Sequence, residues 1–397
     1  MSDDEFEVIE SALQPLCVTV NQSGSRLGIG HRHGFTIFDL KDPTQPALIA
    51  FKKSEFGGVG CLALLLQTYY VAVVGGGPQP LTAPHKLLLF SGEHQVATTT
   101  LSDTIRTVEL TTNMAISLTQ TKFFLTSFKG EKLLELPANG GILPSTPTFP
   151  LALSLINNIC AFPDVATGHV RIVMTDRTLA GVAIVAHSNP VAALALNCDG
   201  SVVASASERG TLMRVWKTTD GTPVAEVRNS NSPSAIRHIG ISTSDHIFCI
   251  SGSLLKIFYV GTEDDKGYLI PNKKEVAKNQ SSYFSKLSFL SKYFDSRWAC
   301  CETELPLAAL PTSSSQPSAP ATTASSFLGS WSGFGASATA SPQLDDTIVC
   351  WWDSDLERES AKTNRYRLTL ATTERTLLRF EFDSVLGTVV LVSGEKS

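Results

Sequence analysis

Few residues in this chain have the types and spacing for covalent chemistry. His31 and His33 flank Arg32, and two histidines two apart can chelate a metal, but the same spacing suits a solvated hairpin turn better. Gly75, Gly76 and Gly77 run into Pro78 with no helix pattern after them, so they read as a turn and not as a nucleotide-binding loop. Asp345 and Asp346 read as a solvated strand start, and neither GxSxG nor HExxH occurs. No catalytic residue, metal ligand or cofactor is assigned, and we expect no enzyme. The stretch PVAEVRNSNSPS, residues 223–234, raises a different question. A strand pattern ends in one cation, Arg228, followed by Asn229, Ser230 and turn residues.

A second chemically distinct stretch is GTEDDKGYLIPNKKEVAKNQSSYFSKLSFLSKYFDSRW, within residues 261–298. From Lys273 to Phe294 it holds five lysines and one acid, in a chain of net charge −5. Tyr283, Leu287, Leu290 and Phe294 recur at one-face helical spacing, and Phe284, Phe289 and Tyr293 add aromatic bulk. An apolar face, aromatics and lysines together suit a segment lying in a membrane interface. A helix packed against the protein wall or a partner fits the residues equally well. The segment is taken as 261–296.

The elements that must carry these residues follow from repeats. Seven copies of a turn-then-alternating-strand motif occur, among them HGFTIFDL, PHKLLLFSG, RGTLMRVWKT and SLLKIFYV. Their anchor positions are Phe38, Phe90, Thr126, Val173, Trp216, Phe258 and Phe380. Most successive anchors lie about 36–52 residues apart, near the 40–45 of a four-stranded propeller blade. Alternation is clean in SVVASAS and TLMRVW, and helical periodicity is nearly absent. The expected fold is all-β: one seven-bladed, WD-repeat-like β-propeller over residues 1–397. A β-sandwich would not house roughly 28 strands. The last interval is long because it holds two insertions. The second, residues 311–343 before blade 7, is rich in Ser, Ala, Thr and Pro and nearly uncharged. It lacks the composition of a packed core and is expected to be disordered, either as sticky linker or, through Phe327, Trp331 and Phe334, as a docking motif.

Bulk composition excludes other classes. With 43% apolar residues and a slight negative charge, the chain lacks the basic excess of a nucleic-acid binder. The eight cysteines form no CxxC or zinc-spaced cluster, and most read as small core residues. The acidic start MSDDEFEVIE does not read as a signal peptide, and the longest apolar run, about 13 residues, is short of the roughly 20 needed to cross a bilayer. We expect a soluble protein of a reducing compartment.

These features resemble one family. The blade AHSNPVAALALNCDGSVVASASERGTLMRVWKTTDGTPVAEVR resembles blade 5 of the PROPPINs, the WIPI-like WD-repeat propellers of autophagy that bind phosphoinositides. SFLSKYFDSRW resembles the loop that follows in the smaller human-type members, and NQSGSRLGIGHRHGFTIFDL resembles their first blade. The likeness runs from about Leu16 to Leu391 outside the second insertion, strongest in blades 1 and 5. Ordinary WD-repeat proteins are less similar, since Trp216 is followed by Lys217 and not by aspartate.

The family's hallmark, Phe/Leu-Arg-Arg-Gly, directs two arginines to opposite sides, each into a headgroup pocket. Neighbouring strand residues face opposite ways, and a guanidinium fork matches phosphate oxygens. Here the matching residues are Val227, Arg228, Asn229 and Ser230. The resemblance implies a first phosphoinositide pocket formed by Arg228, His187, Ser207 and Thr211. His187 and Ser207 also suit the structural hydrogen bonds common in such blades. The second pocket, at Asn229, Ser251 and Lys256, is degraded: the fixed cation is lost, and Lys256 stands where the family has histidine. The membrane-inserting residues would be Tyr283, Phe284, Leu287, Phe289, Leu290, Tyr293 and Phe294.

The resemblance further implies a cytoplasmic monomer. It would be recruited peripherally to phagophore, endosomal or vacuolar membranes by 3-phosphorylated phosphoinositides, phosphatidylinositol 3-phosphate first and the 3,5-bisphosphate as a further candidate. Its expected role is a scaffold in autophagosome formation, at the phagophore assembly site, with the bridge-like lipid-transfer protein of autophagy as a partner. The alternative is a protein-interaction propeller whose lipid binding is lost or weakened.

Overall fold

The computed structural model describes residues 15–40, 47–53, 57–142, 149–176, 181–242, 246–260, 298–306, 348–352, 365–372, 376–383 and 388–396. Those residues form 28 strands and no helix. Seven antiparallel sheets of four strands follow one another along the chain. Blade 1 holds β1–β4 (Pro15–Lys53), blade 2 β5–β8 (Val59–Thr100), blade 3 β9–β12 (Ile105–Pro137) and blade 4 β13–β16 (Ala152–Val185). Blade 5 holds β17–β20 (Val191–Arg228), blade 6 β21–β24 (Ile236–Glu304) and blade 7 β25–β28 (Ile348–Lys396). In each sheet the four strands pair in chain order, as expected for a propeller.

All seven anchor positions read from the sequence fall on the third strand of their blades: β3, β7, β11, β15, β19, β23 and β27. Six are buried, and Trp216 is half-buried. The spacing thus reports a real structural repeat. Side-chain hydrogen bonds repeat with it: Asn21 reaches Leu66, Ser154 reaches Cys198 and Asn157 reaches Asp199, partners 45, 44 and 42 residues away.

Strand alternation sends one set of side chains to each neighbouring blade, so the core is divided into seven clusters, one per blade junction. Phe123 and Phe162 stack at 4.2 Å between blades 3 and 4. Leu27, Ile29, Phe38 and Leu40 meet Ala371 and Leu377 where blade 1 closes on blade 7. Among the described residues no strand crosses that seam, since both sheets are built from consecutive strands. Packing of side chains closes the ring.

The segment 261–296 lies in the interval between β23 (Leu254–Tyr259) and β24 (Cys301–Glu304) of blade 6, and 311–343 lies between β24 and β25 (Ile348–Trp352). Tyr283, Phe284, Leu287, Phe289, Leu290, Tyr293 and Phe294 are outside the described residues, as are Asp345, Asp346, Phe327, Trp331 and Phe334. Arg32 and His33 form the exposed turn between β2 (Arg26–His31) and β3 (Gly34–Asp39), and the described residues contain no cluster suited to a metal. Among the cysteines, Cys160, Cys249 and Cys350 are buried and Cys198 is exposed.

Candidate phosphoinositide site

Blade 5 positions the candidate residues by simple antiparallel pairing. β18 (Val202–Ser207) ends, and β19 (Leu212–Lys217) begins, at the turn 208–211. β20 (Pro223–Arg228) returns to that same end, where Arg228 pairs with Leu212 and Ser207 pairs with Val191 of β17 (Val191–Leu196). The Thr211 carbonyl accepts hydrogen bonds from the Asn229 and Ser230 amides at 2.9 and 3.3 Å. Ser207, Thr211 and Arg228 therefore share one end of the blade. His187 joins them from the linker between blades. Its amide donates to the Gly168 carbonyl of blade 4, and three residues on the Pro190 carbonyl accepts from Glu208 in the blade 5 turn.

Alternation decides the directions. Val227 packs in the cluster between blades 5 and 6, and Asn229 hydrogen-bonds Ser251 of blade 6. Arg228, between them, faces the blade 4 side. Glu226, Arg214, Ser205 and Ser207 lie on that same face by register.

Arg228 is only 9% exposed. Its Nε has no hydrogen-bond partner, and among the described residues no carboxylate pairs with the guanidinium. The nearest acid on its own strand face, Glu226, is held by Arg214 Nε at 2.8 Å. A buried cation without a partner is costly, so evolution ordinarily pairs or removes it. The guanidinium here is kept, neutralised by nothing within the described fold, at the blade end that also carries the buried Ser207 and the half-buried Thr211. Neither hydroxyl makes a hydrogen bond within the described residues, so both can donate to phosphate oxygens.

His187 plays a more structural part than a ligand reading implies. Its Nε2 lies 3.0 Å from Ser205 Oγ, and the same hydroxyl accepts from Trp216 Nε1 at 3.2 Å. Burial, together with the Arg214 charge, lowers its pKa to about 4. The ring is neutral at physiological pH and locks β18, β19 and the linker to blade 4. Only Nδ1 is left for another partner. Ser205, Trp216, Arg214 and Glu226 were not among the residues picked from the sequence as functional. The available signal was the period of two, which puts Ser205 on the face of Ser207.

The second pocket is filled by its own residues. Asn229 is 2% exposed, and its Nδ2 donates to the Gly210 carbonyl at 2.8 Å and to Ser251 Oγ at 3.0 Å. Ser251 Oγ in turn meets Ser234 Oγ at 2.8 Å and donates to the Ala235 carbonyl. Lys256 Nζ donates to the Asn229 carbonyl at 2.9 Å and lies 3.8 Å from Glu302. Asn229, Ser251 and Lys256 are thus brought together, and their polar groups are taken up by one another and by nearby backbone. Gly210 fits this closure: its φ is +62°, and a Cβ there would lie 1.9 Å from the Ser234 carbonyl oxygen.

Comparison with known proteins settles the kinship. The PROPPIN family model matches residues 14–289. The chain belongs to the PROPPIN family. It is 25% identical over 340 residues to SVP1-like protein 2 of Saccharomyces cerevisiae, covering 75% of each chain. It is 25% identical over 303 residues to Autophagy-related protein 18 of Yarrowia lipolytica, covering 68% of this chain and 74% of the relative. Among solved structures, Kluyveromyces lactis Hsv2 superposes over 97% of this chain and 99% of its own, with TM-score 0.64 and 17% identity, a likeness of fold. Hence this PROPPIN is an autophagy-family propeller whose general expectation is phosphoinositide binding, on a fold that typically serves as a non-enzymatic scaffold.

Proposed function

We propose that this protein is a membrane-recruited, non-enzymatic scaffold of autophagosome formation that reads a 3-phosphorylated phosphoinositide through a single pocket centred on Arg228. The observation that carries this reading is the buried guanidinium of Arg228, its Nε without a partner, at the blade end that also carries the hydroxyls of Ser207 and Thr211. An inositol phosphate supplies what the site lacks: a planar-matched anion with several acceptor oxygens. Phosphatidylinositol 3-phosphate is the favoured ligand. The 3,5-bisphosphate adds a second phosphate, for which the closed side of the blade offers no free cation.

One headgroup site is a weak anchor by itself. Segment 261–296, with Tyr283, Phe284, Leu287, Phe289, Leu290, Tyr293 and Phe294, would supply the second signal by entering the lipid interface. Linking the two converts the second contact into an intramolecular one and raises avidity. The bridge-like lipid-transfer protein of autophagy is the proposed partner. One structural neighbour is a complex of KlAtg21 with the coiled coil of AgAtg16.

Flotation on liposomes with and without phosphatidylinositol 3-phosphate tests the proposal. Wild type should float only with the lipid, and Arg228→Ala should stay in the soluble fraction. Equal flotation of the two proteins would remove Arg228 from the site. No flotation of wild type would favour the protein-interaction scaffold.

A further inference from the structure

Every blade ends in a fourth strand with one free edge, and six of those seven strands carry a guard against pairing with another chain. β12 (Lys132–Pro137) has Lys132, Glu135 and Pro137, and β20 has Pro223 and Glu226. β4 (Ala47–Lys53) ends in Lys52 and Lys53. β16 (Ala183–Val185) is only three residues long, β24 is four with two glutamates, and β8 (His94–Thr100) is mostly His, Gln and Thr. Charge, proline, short length and polarity all blunt a sheet edge. β28 (Thr388–Lys396) is the exception. It is the longest described strand, and from Thr388 to Gly394 it has neither a charge nor a proline. Val390, Leu391 and Val392 stand exposed in a row.

The apolar surface continues across the seam to blade 1. Val390 pairs with Glu381, which alternates with Phe380 and Phe382 of the blade 6–7 cluster and so faces blade 1. Leu48 of β4 pairs with Phe38, which packs in the cluster between blades 7 and 1. Of the twelve large apolar side chains exposed among the described residues, five lie on these two outer strands: Leu48, Ile49, Val390, Leu391 and Val392.

The chain's own N-terminal segment has the pattern, the reach and the charge to cover this surface. Residues 1–14 lie outside the described residues and lead directly into β1 (Pro15–Val20). Within them EFEVIE, residues 5–10, puts Phe6 and Val8 on one face of an extended strand and Glu5 and Glu7 on the other. Pro15 pairs with His31 beside the β2–β3 turn, and Lys396 pairs with Thr376 beside the β26–β27 turn. β1 therefore starts at the end of the propeller where β28 finishes. The step from an outer strand to the next inner strand takes residues 101–104 after β8 and residues 229–235 after β20, four and seven residues. Six residues, 9–14, separate Val8 from Pro15. A strand beyond β28 lies about 4.8 Å further out, roughly one and a half extended residues, so six suffice. By register Lys52, Lys53 and Lys396 lie at that same end, opposite in charge to Glu5, Glu7 and Glu10.

We propose that residues 5–10 lie along β28 as an added parallel strand, covering Val390–Val392 and Leu48 and tying blade 7 to blade 1. The segment is then a clasp across the seam that side-chain packing otherwise closes alone. It is independent of the phosphoinositide pocket on blade 5.

Hydrogen exchange read by mass spectrometry on the full-length chain tests the proposal. Phe6→Asp with Val8→Asp should make the β28 amides exchange roughly tenfold faster than in wild type, with β12 and β20 unchanged. A synthetic peptide of residues 1–12 should restore the protection in trans. Val390→Lys should in turn speed cleavage by a glutamate-specific protease at Glu5, Glu7 and Glu10. The proposal is overturned if β28 exchanges equally fast in wild type and the double variant, or if the peptide restores nothing. Protection of β28 that rises with protein concentration would also overturn it, since a second copy would then hold the edge.

Discussion

Replacing Arg228 by methionine should weaken headgroup binding sharply while leaving the fold as stable or more so. The side chain is nine-tenths buried, its Nε is unpartnered, and Glu226 is occupied by Arg214. Methionine keeps much of the apolar stem, so little packing is lost. A buried polar group without a partner costs about 1–3 kcal/mol, and removing it returns part of that. We expect unchanged stability or a gain of about 1 kcal/mol in urea unfolding. Binding should move the other way. A guanidinium fork on phosphate makes two charge-assisted hydrogen bonds of roughly 1.5–3 kcal/mol each. Losing about 3 kcal/mol of that weakens affinity by about two orders of magnitude, at 1.4 kcal/mol per decade. Calorimetry with a soluble 3-phosphorylated inositol headgroup reads the affinity. The reasoning is refuted if Arg228→Met unfolds more easily by over about 1 kcal/mol yet binds as wild type, since Arg228 would then be a structural residue.

Three further outcomes follow from the same geometry. Asn229→Ala should lower stability by about 2–4 kcal/mol, because it strips donors from the Gly210 carbonyl and Ser251, yet leave headgroup affinity unchanged; parallel unfolding and calorimetry check this. Phe289→Asp with Leu290→Asp should abolish stable liposome flotation and leave the circular dichroism spectrum intact, whereas unchanged flotation would favour a segment packed on protein. His187 should make stability pH-dependent. Its folded pKa, about 4, lies below the ordinary 6.5, so the unfolded chain takes up the proton first. Stability is then fully present above pH 6.5 and lost as pH falls toward 4, by about 3 kcal/mol in total. His187→Gln should flatten that slope in thermal unfolding across the window.

The architecture was legible in the sequence because a propeller blade advertises itself locally. Alternation in TLMRVW and the recurring anchors needed no knowledge of distant contacts, and every anchor landed on a third strand. The face that Arg228 takes was equally legible, since adjacent residues of one strand face different blades whatever those blades contain. The fate of the second pocket was half legible. The missing arginine showed in Asn229, but closure by Gly210, Ser234 and Glu302 depends on residues from a turn, a linker and another strand meeting in space. His187 marks the limit. A histidine at that position suits phosphate and suits Ser205, and only the 3.0 Å contact shows which partner its Nε2 holds. Cross-blade bonds such as Gln22 to Leu110, 88 residues apart, leave no local trace at all.

The central claim is that one side of blade 5 presents a free cation and the other side is closed upon itself. Calorimetric titration of wild type with a soluble 3-phosphorylated inositol headgroup tests it most directly. We predict one binding site per chain, absent in Arg228→Ala. Two sites, or one site that survives Arg228→Ala, would contradict the account.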